Sequence, residues 1–236
     1  MTLQDFFQST SHGAIAYSGG VDSSLLVWAA AQYGRDWRAY YVRTVFQPEF
    51  ELLDAKKIAA ECGIPLTILE GDILQFPEIR TNPADRCYHC KHRLFSAIGQ
   101  QAAVDGCSLL IDGTNASDDE GDRPGMRALR ELRVRSPLRE CGLTKGDVRQ
   151  LCREVHLSVW NKPAYACLAT RIPTGTPITR EALWSIEQGE NLLSSLGFQN
   201  FRIRLHGGAA VLQVQEDQFS YACENRETIL ARLSPV

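Results

Sequence analysis

The sequence predicts an α/β protein, a doubly wound parallel sheet followed by a small C-terminal α+β domain. Three observations carry this. Short apolar runs of strand type alternate with stretches of helical spacing through the first part of the chain, the rhythm of a parallel sheet with helices on both faces. The first of these runs turns through Gly19-Gly20 into a helix. Beyond the Pro-Gly-Pro stretch Ile172 to Pro177 the pattern becomes a helix, two alternating strands and a last helix. That stretch sets the expected domains at 1–171 and 172–236.

The first strand is Ala14 to Tyr17, and Leu25 to Ala29 after it have helical spacing. Between them lies Ser18-Gly19-Gly20-Val21-Asp22-Ser23-Ser24. A strand that turns through glycines into a helix aims backbone N–H groups and a positive helix end at one spot, which suits phosphate. Ser18, Ser23 and Ser24 add hydroxyls, and Asp22 is of the right type to hold Mg²⁺. Neither a Walker A loop nor a dinucleotide G-x-G-x-x-G is present there.

Arg38 to Thr44 reads as the second strand, and Glu49 to Cys62 as a helix ending at Gly63. Pro65 to Leu69 is a third strand. A helix is expected from about Lys91 to Val104, with Cys87-Tyr88-His89-Cys90 at its start. Ser108 to Asp112 is the next buried strand and delivers Gly113-Thr114-Asn115 where an α/β sheet binds ligands. Asp118 to Gly125 reads as an exposed loop, whose carboxylates are solvated surface or, beside a phosphate loop, Mg²⁺ ligands. Ser136 to Leu151 reads as a turn and a helix, with Thr144 as N-cap and Asp147 at N3. Ile178 to Gly197 contains a helix, Phe201 to His206 and Ala209 to Gln215 are partner strands, and Tyr221 to Leu233 is the last helix. Arg202 and Arg204 share one strand face, either a solvated edge or an anion clamp that Glu190 helps orient.

At 236 residues, 44% hydrophobic and 22% charged, the composition is that of a soluble globular protein. The net charge of −3 gives no global field to draw in nucleic acid or an anionic membrane. The segment MTLQDFFQSTSHG has no basic region or long apolar core, and no apolar run approaches the ~18 residues of a membrane span. A cytoplasmic protein is expected. Five of the eight cysteines show no pairing and read as core fillers or bystanders. Cys87 and Cys90 at a helix start favour thiolate, beside Arg86, Lys91, His92 and Arg93. A redox pair, half of a zinc site, part of an iron–sulfur site and no role all remain open at that level. Cys167, beside Arg171 in Asn161 to Pro173, has a cation at hand to lower its pKa.

Ser18-Gly19-Gly20-Val21-Asp22-Ser23 resembles the PP-loop of the ATP pyrophosphatases, whose fold is of the adenine nucleotide alpha hydrolase kind. The resemblance implies cleavage of ATP between the α and β phosphates and adenylation of a substrate oxygen. With DRCYHCK, DGTN, DDEGDRPG, PAYACLATR and FRIRLHG in order, nearly the whole chain resembles one branch of that superfamily. That branch is the LarE family of ATP-dependent sulfurtransferases, which build the nickel-pincer nucleotide of lactate racemase. Its members continue past the last expected helix into one more strand.

The resemblance implies that pyridinium-3,5-biscarboxylic acid mononucleotide is adenylated on a carboxylate, and that sulfur then displaces AMP. It places Ser18, Gly19, Gly20, Asp22, Ser23, Ser24, Val42, Arg43, Thr44, Gly113, Thr114, Asn115 and Arg123 around ATP. It makes Cys167, Asp22 and Arg171 catalytic, and gives the substrate phosphate to Glu190, Arg202 and Arg204. Mg²⁺ is shared by Asp22 with Asp118 or Asp119. In some members the cysteine at Cys167 gives up its own sulfur; in others three cysteines hold a [4Fe-4S] cluster that carries extra sulfide. Cys87, Cys90 and Cys167 match the second pattern, for which the sulfide source is not indicated. A homo-oligomer, a hexamer, is implied. A tRNA-thiolating enzyme is the competing reading, and it calls for a basic face or RNA-binding domain that the sequence lacks. An amide-forming ligase of the same loop needs an ammonia source and no cysteine trio.

Overall fold

The computed structural model of the chain describes residues 1–118 and 124–234. In chain order it runs α1 (Leu3–Ser9), β1 (His12–Ala16), α2 (Val21–Tyr33), β2 (Asp36–Arg43), α3 (Glu49–Cys62) and β3 (Leu66–Glu70). Then come α4 (Pro77–Arg80), α5 (Arg86–Val104), β4 (Leu110–Ile111), α6 (Pro124–Glu131), α7 (Pro137–Glu140) and α8 (Lys145–Glu154). After these follow α9 (Arg180–Ser195), β5 (Arg202–His206), β6 (Ala209–Gln213), α10 (Phe219–Glu224) and α11 (Arg226–Leu233). The chain forms two compact units. Met1–Thr44, Glu49–Asp72 and Asp85–Ala164 make the first; Val45–Pro48, Ile73–Ala84 and the chain from Tyr165 onward make the second.

In the first unit the four strands are parallel in the order β3-β2-β1-β4. Side chains alternate between the faces, as the pleat requires. Ile15, Ala39 and Tyr41 join the larger core with α2, α3 and the aromatic trio Phe6, Phe7 and Trp37. Ala14, Tyr40 and Val42 join Ile98 and Ala102 of α5 on the other face. Helices therefore cover both faces, as the alternating rhythm predicts. Helix α2 is apolar nearly all round because α1, α3 and α8 pack on it as well as the sheet. The chain leaves β1 toward β2 on one side, while β4 lies on the other. The loops after β1 and β4 thus part at a switch point, where open α/β sheets hold ligands.

In the second unit β5 and β6 form an antiparallel hairpin pairing His206 with Ala209. Gly207 and Gly208 connect them at φ 56° and 80°, the left-handed values that a two-residue hairpin turn needs at both positions. One face of the hairpin and α9 enclose Leu193, Phe198, Ile203 and Ile229.

Most expected elements lie where the sequence puts them, with ends moved by a few residues, while α1, α4 and α6 were not expected. Three of the expected elements differ. The expected last helix is two, α10 and α11, divided at Asn225, where φ −97° and ψ 11° leave the helical range. The expected loop Asp118 to Gly125 ends sooner: Gly125 is buried inside α6, where a Cβ would meet Lys91 Cδ at 2.9 Å. Helix α5 starts at Arg86, five residues before Lys91, so both cysteines lie inside it near its start. Among the described residues no helix is long and apolar enough to cross a membrane.

Candidate functional site

The loop after β1 is built to bring backbone close to a ligand. Gly19 has φ 73°, and a Cβ on it would stand 2.7 Å from the Glu51 carbonyl oxygen, so no other residue fits. Gly20 is the N-cap of α2 and offers no side-chain cap, which leaves the first N–H groups of the helix for another partner. Ser23 Oγ accepts from Ser18 N at 3.3 Å and lies 3.1 Å from Ser18 Oγ, drawing the loop into a tight ring. Ser24 faces the other way: it is fully buried, with Oγ 3.2 Å from Tyr17 Oη. It supports the loop from behind.

Two lysines converge on this loop, and the sequence did not single out either. Lys145 Nζ, on the first residue of α8, forms an ion pair with Asp22. Lys162 Nζ donates to the Gly19 carbonyl at 3.3 Å and to Asp54 at 2.7 Å. Arg149 holds the Lys162 segment by donating to the carbonyls of Trp160 at 2.7 Å and Lys162 at 2.8 Å. Helix α8 is fixed by a capping box in which Thr144 and Asp147 satisfy each other's backbone N–H groups. Asp147 is held below the usual carboxylate range by the Thr144 hydroxyl, which donates to it at 2.5 Å, and then by the Thr144 N–H at 2.8 Å.

The loop after β4 closes the other side. A Cβ on Gly113 would come within 2.9 Å of Ser23 N, so the two loops touch backbone to backbone. Asn115 Nδ2 donates to Asp22 Oδ1 at 3.2 Å. The buried Asp112 carboxylate, which the sequence left unremarked, accepts from Thr114 and Ser136 hydroxyls and sets the turn. Asp118 Oδ2 caps the same turn at Asn115 N, 2.9 Å away, and its carbonyl is held by Arg139. Asp119 and Arg123, and Glu120 with them, lie outside the described residues. At the end of β2, Val42 and Thr44 are buried while Arg43 is exposed and paired with Glu49 at 2.9 Å and Glu70 at 3.7 Å. A cavity of about 480 Å³ opens at the N-terminal ends of the same strands, among Arg35, Trp37 and Arg38, away from both loops.

Cys87 and Cys90 are three residues apart near the start of α5 and therefore on one helix face. Arg86 Nη2 lies 3.8 Å from Cys87 Sγ. This donor set fits two sulfur positions of a metal site, with a guanidinium N–H donor on one of them. Among the described residues no three His, Cys, Asp or Glu side chains stand grouped to hold a metal ion. Cys107 and Cys152 are buried core residues, as a small hydrophobe would be.

In the second unit Cys167 caps a single 3₁₀ turn, Leu168–Arg171. Arg171 is fully buried and pairs with Glu190 through two bonds, Nε to Oε1 at 2.9 Å and Nη2 to Oε2 at 3.1 Å. Burial works against its charge, yet the bonds to Glu190 and the neighbouring Tyr165 hold the guanidinium above its ordinary range. Glu190 also accepts from Ile203 N at 3.0 Å and from the Tyr165 hydroxyl. Arg204 is oriented by Gln213 at 2.7 Å and by the Thr170 carbonyl at 2.7 Å. Arg202 and Arg204 lie on one face of β5, half-buried, with Ile203 turned to the core between them.

No family model matches the chain. It is 35% identical over 219 residues to an uncharacterized protein of Synechocystis, covering 92% of this chain and 81% of that one. It is 33% identical over 217 residues to the pyridinium-3,5-bisthiocarboxylic acid mononucleotide synthase of Lactiplantibacillus plantarum, covering 91% of this chain and 79% of that one. An uncharacterized protein of Methanocaldococcus jannaschii is 29% identical over 215 residues, 91% of this chain and 82% of its own length.

Proposed function

The chain belongs to the LarE family, and from that membership we propose that it is an ATP-dependent sulfurtransferase acting on pyridinium-3,5-biscarboxylic acid mononucleotide. The observation that carries this reading is the 33% identity across 91% of the chain to a synthase named for the bisthiocarboxylic acid product. The loop after β1 supports it, being an uncapped helix start with a glycine that admits close approach and two lysines beside it. In this reading the parallel sheet is of the PP-loop kind.

A carboxylate oxygen of the substrate attacks the α-phosphorus of ATP, pyrophosphate leaves, and an acyl-adenylate forms. A sulfur nucleophile then attacks the acyl carbon, AMP leaves, and a thiocarboxylate remains. Ser18, Gly19, Gly20 and Ser23 bind phosphate, with Ser24 and Tyr17 holding the loop from behind. Lys162 and Lys145 balance charge on the departing pyrophosphate. Val42, Arg43 and Thr44 line the adenine end, and Gly113, Thr114 and Asn115 close the nucleotide crevice. Asp22, with an acid from Asp118 to Glu120, would hold Mg²⁺, and Lys145, paired with Asp22, would stand beside the phosphates. Mg²⁺ supplies Lewis-acid charge neutralisation on the phosphates. Arg202 and Arg204 bind the phosphate of the mononucleotide, in a C-terminal domain that also mediates oligomerisation.

Cys167 handles the sulfur. Cys87 and Cys90 would hold a [4Fe-4S] cluster together with it, and that cluster would supply an iron able to carry an added sulfide. The enzyme is cytoplasmic. Pyrophosphate release tests the reading: ATP alone gives none, ATP with the pyridinium dicarboxylate gives it, and Asp22→Asn abolishes it. Release that is independent of the pyridinium compound overturns the substrate assignment. Iron and acid-labile sulfide after anaerobic purification test the carrier. Near-stoichiometric cluster lost in Cys90→Ala supports it, and no iron with loss of sulfur mass at Cys167 after turnover means sacrificial donation instead.

A further inference from the structure

Arg171 and Glu190 look at first like catalytic and phosphate-binding side chains, and their surroundings give them a different task. The Arg171 side chain is 0% exposed and that of Glu190 6%. Beyond its two bonds to Glu190, Arg171 Nη1 donates to the Ala166 carbonyl at 2.8 Å and to Thr170 Oγ1 at 3.0 Å. Thr170 Oγ1 in turn donates to the Cys167 carbonyl at 2.8 Å. The residue before Cys167, its own carbonyl and the residue three after it are thus tied to one guanidinium. The Tyr165 ring covers that guanidinium, with Cζ 4.5 Å from the ring centre, and its hydroxyl closes the circuit on Glu190. Glu190 is held by α9 and by Ile203 N of β5, so the clamp rests on regular structure at its far end.

A guanidinium that is enclosed and already neutralised by a carboxylate is poorly placed to take a phosphate. A buried pair of this kind is also weak evidence for stability, because desolvation offsets its attraction; fixing one geometry is the role that remains. We propose that Arg171, Glu190 and Tyr165 are positioning residues that set where the Cys167 thiol stands. This rests on the functional reading above only in making Cys167 the sulfur-handling residue.

The test is peptide-resolved alkylation of the whole chain by iodoacetamide, purified in air and free of iron. The rate at Cys167 is compared with that at Cys141, a half-buried cysteine of the first unit. Tyr165→Phe removes one hydroxyl and no charge, and Arg171→Lys keeps a cation while losing the fork. Each is expected to raise the Cys167 rate about fivefold, the worth of one hydrogen bond, with Cys141 unchanged. Each should also lower kcat for sulfur transfer while leaving KM for ATP as in wild type. Glu190→Gln is the harsher variant and is read only where it melts cooperatively; Tyr165→Phe decides otherwise. Cys167 rates within twofold of wild type in the folded variants, about the scatter of such rates, overturn the clamp. Absence of sulfur transfer by wild type overturns the functional reading instead, and the alkylation result still decides the clamp.

Discussion

Gly19→Ala puts the phosphate loop under the sharpest structural test. At φ 73° an alanine pays the left-handed penalty of about 1–2 kcal/mol. Its Cβ would also stand 2.7 Å from the Glu51 carbonyl oxygen and 3.3 Å from Ala55 Cβ, both on α3. Neither is the far end of a flexible side chain, so the loop or the helix must shift, and overpacking of this kind costs about 1–3 kcal/mol. A total of about 3 kcal/mol corresponds to a fall in melting temperature of roughly 6–12 °C for a protein of this size. Gly20→Ala is the control. Its φ of −80° is open to any residue, and the new Cβ would meet only Ser18 Oγ at 3.4 Å. Loss of a glycine N-cap should cost no more than about 1 kcal/mol. Thermal unfolding followed by circular dichroism, with and without ATP, reads both. Gly19→Ala should melt well below Gly20→Ala, and added ATP should raise the melting temperature of wild type but not of Gly19→Ala. Equal melting temperatures, or a larger fall in Gly20→Ala, would refute the close-approach argument.

Three further outcomes are expected. Thr144→Ala removes the hydroxyl that accepts from Asp147 N and donates to the Asp147 carboxylate, leaving the bond from its own N–H, and should cost about 1 kcal/mol, or 2–4 °C by calorimetry. Lys145 is paired with Asp22; on the proposed reading Lys145→Met loses a charge-assisted contact to phosphate and should weaken ATP binding about tenfold by titration calorimetry, and unchanged affinity would remove Lys145 from the nucleotide site. Burial pushes the Cys152 thiol from 9.0 up to about 12. Its contribution to stability is therefore whole below the unfolded thiol's pKa near 9.0 and is lost as pH rises toward about 12. Urea unfolding should show stability falling over that window, with a shallower slope in Cys152→Ala.

Signals that act within a few residues were legible in the sequence. Helix α3 ends where its apolar spacing meets Gly63, and α8 begins at the Thr144–Asp147 pair, because caps and glycines act locally. The strands were legible as apolar runs, and both faces of the sheet follow from their alternation. What was not legible came from distance. Lys145 and Lys162 reach the loop after β1 from 123 and 143 residues further along, and no local pattern marks either as a phosphate neighbour. Ser24 carries the same hydroxyl as Ser23, yet the helix turns it by about 100°, into the core against Tyr17. Glu190 was legible as an acid near two arginines of β5. Its bonds go to Arg171, because strand spacing tells which side chains share a face and not which partner fills the space beneath. The division at Asn225 has no proline or glycine to announce it.

The proposed reaction replaces oxygen by sulfur on the pyridinium carboxylate through an adenylate. Mass spectrometry of the mononucleotide after incubation with ATP and Mg²⁺, with AMP measured in the same reaction, tests it most directly. Wild type should give a thiocarboxylate in step with AMP, and Cys167→Ser should release pyrophosphate without forming any sulfur-bearing product. Sulfur incorporation that persists in Cys167→Ser, or a mononucleotide left unchanged while ATP is consumed by the wild-type chain, would contradict it.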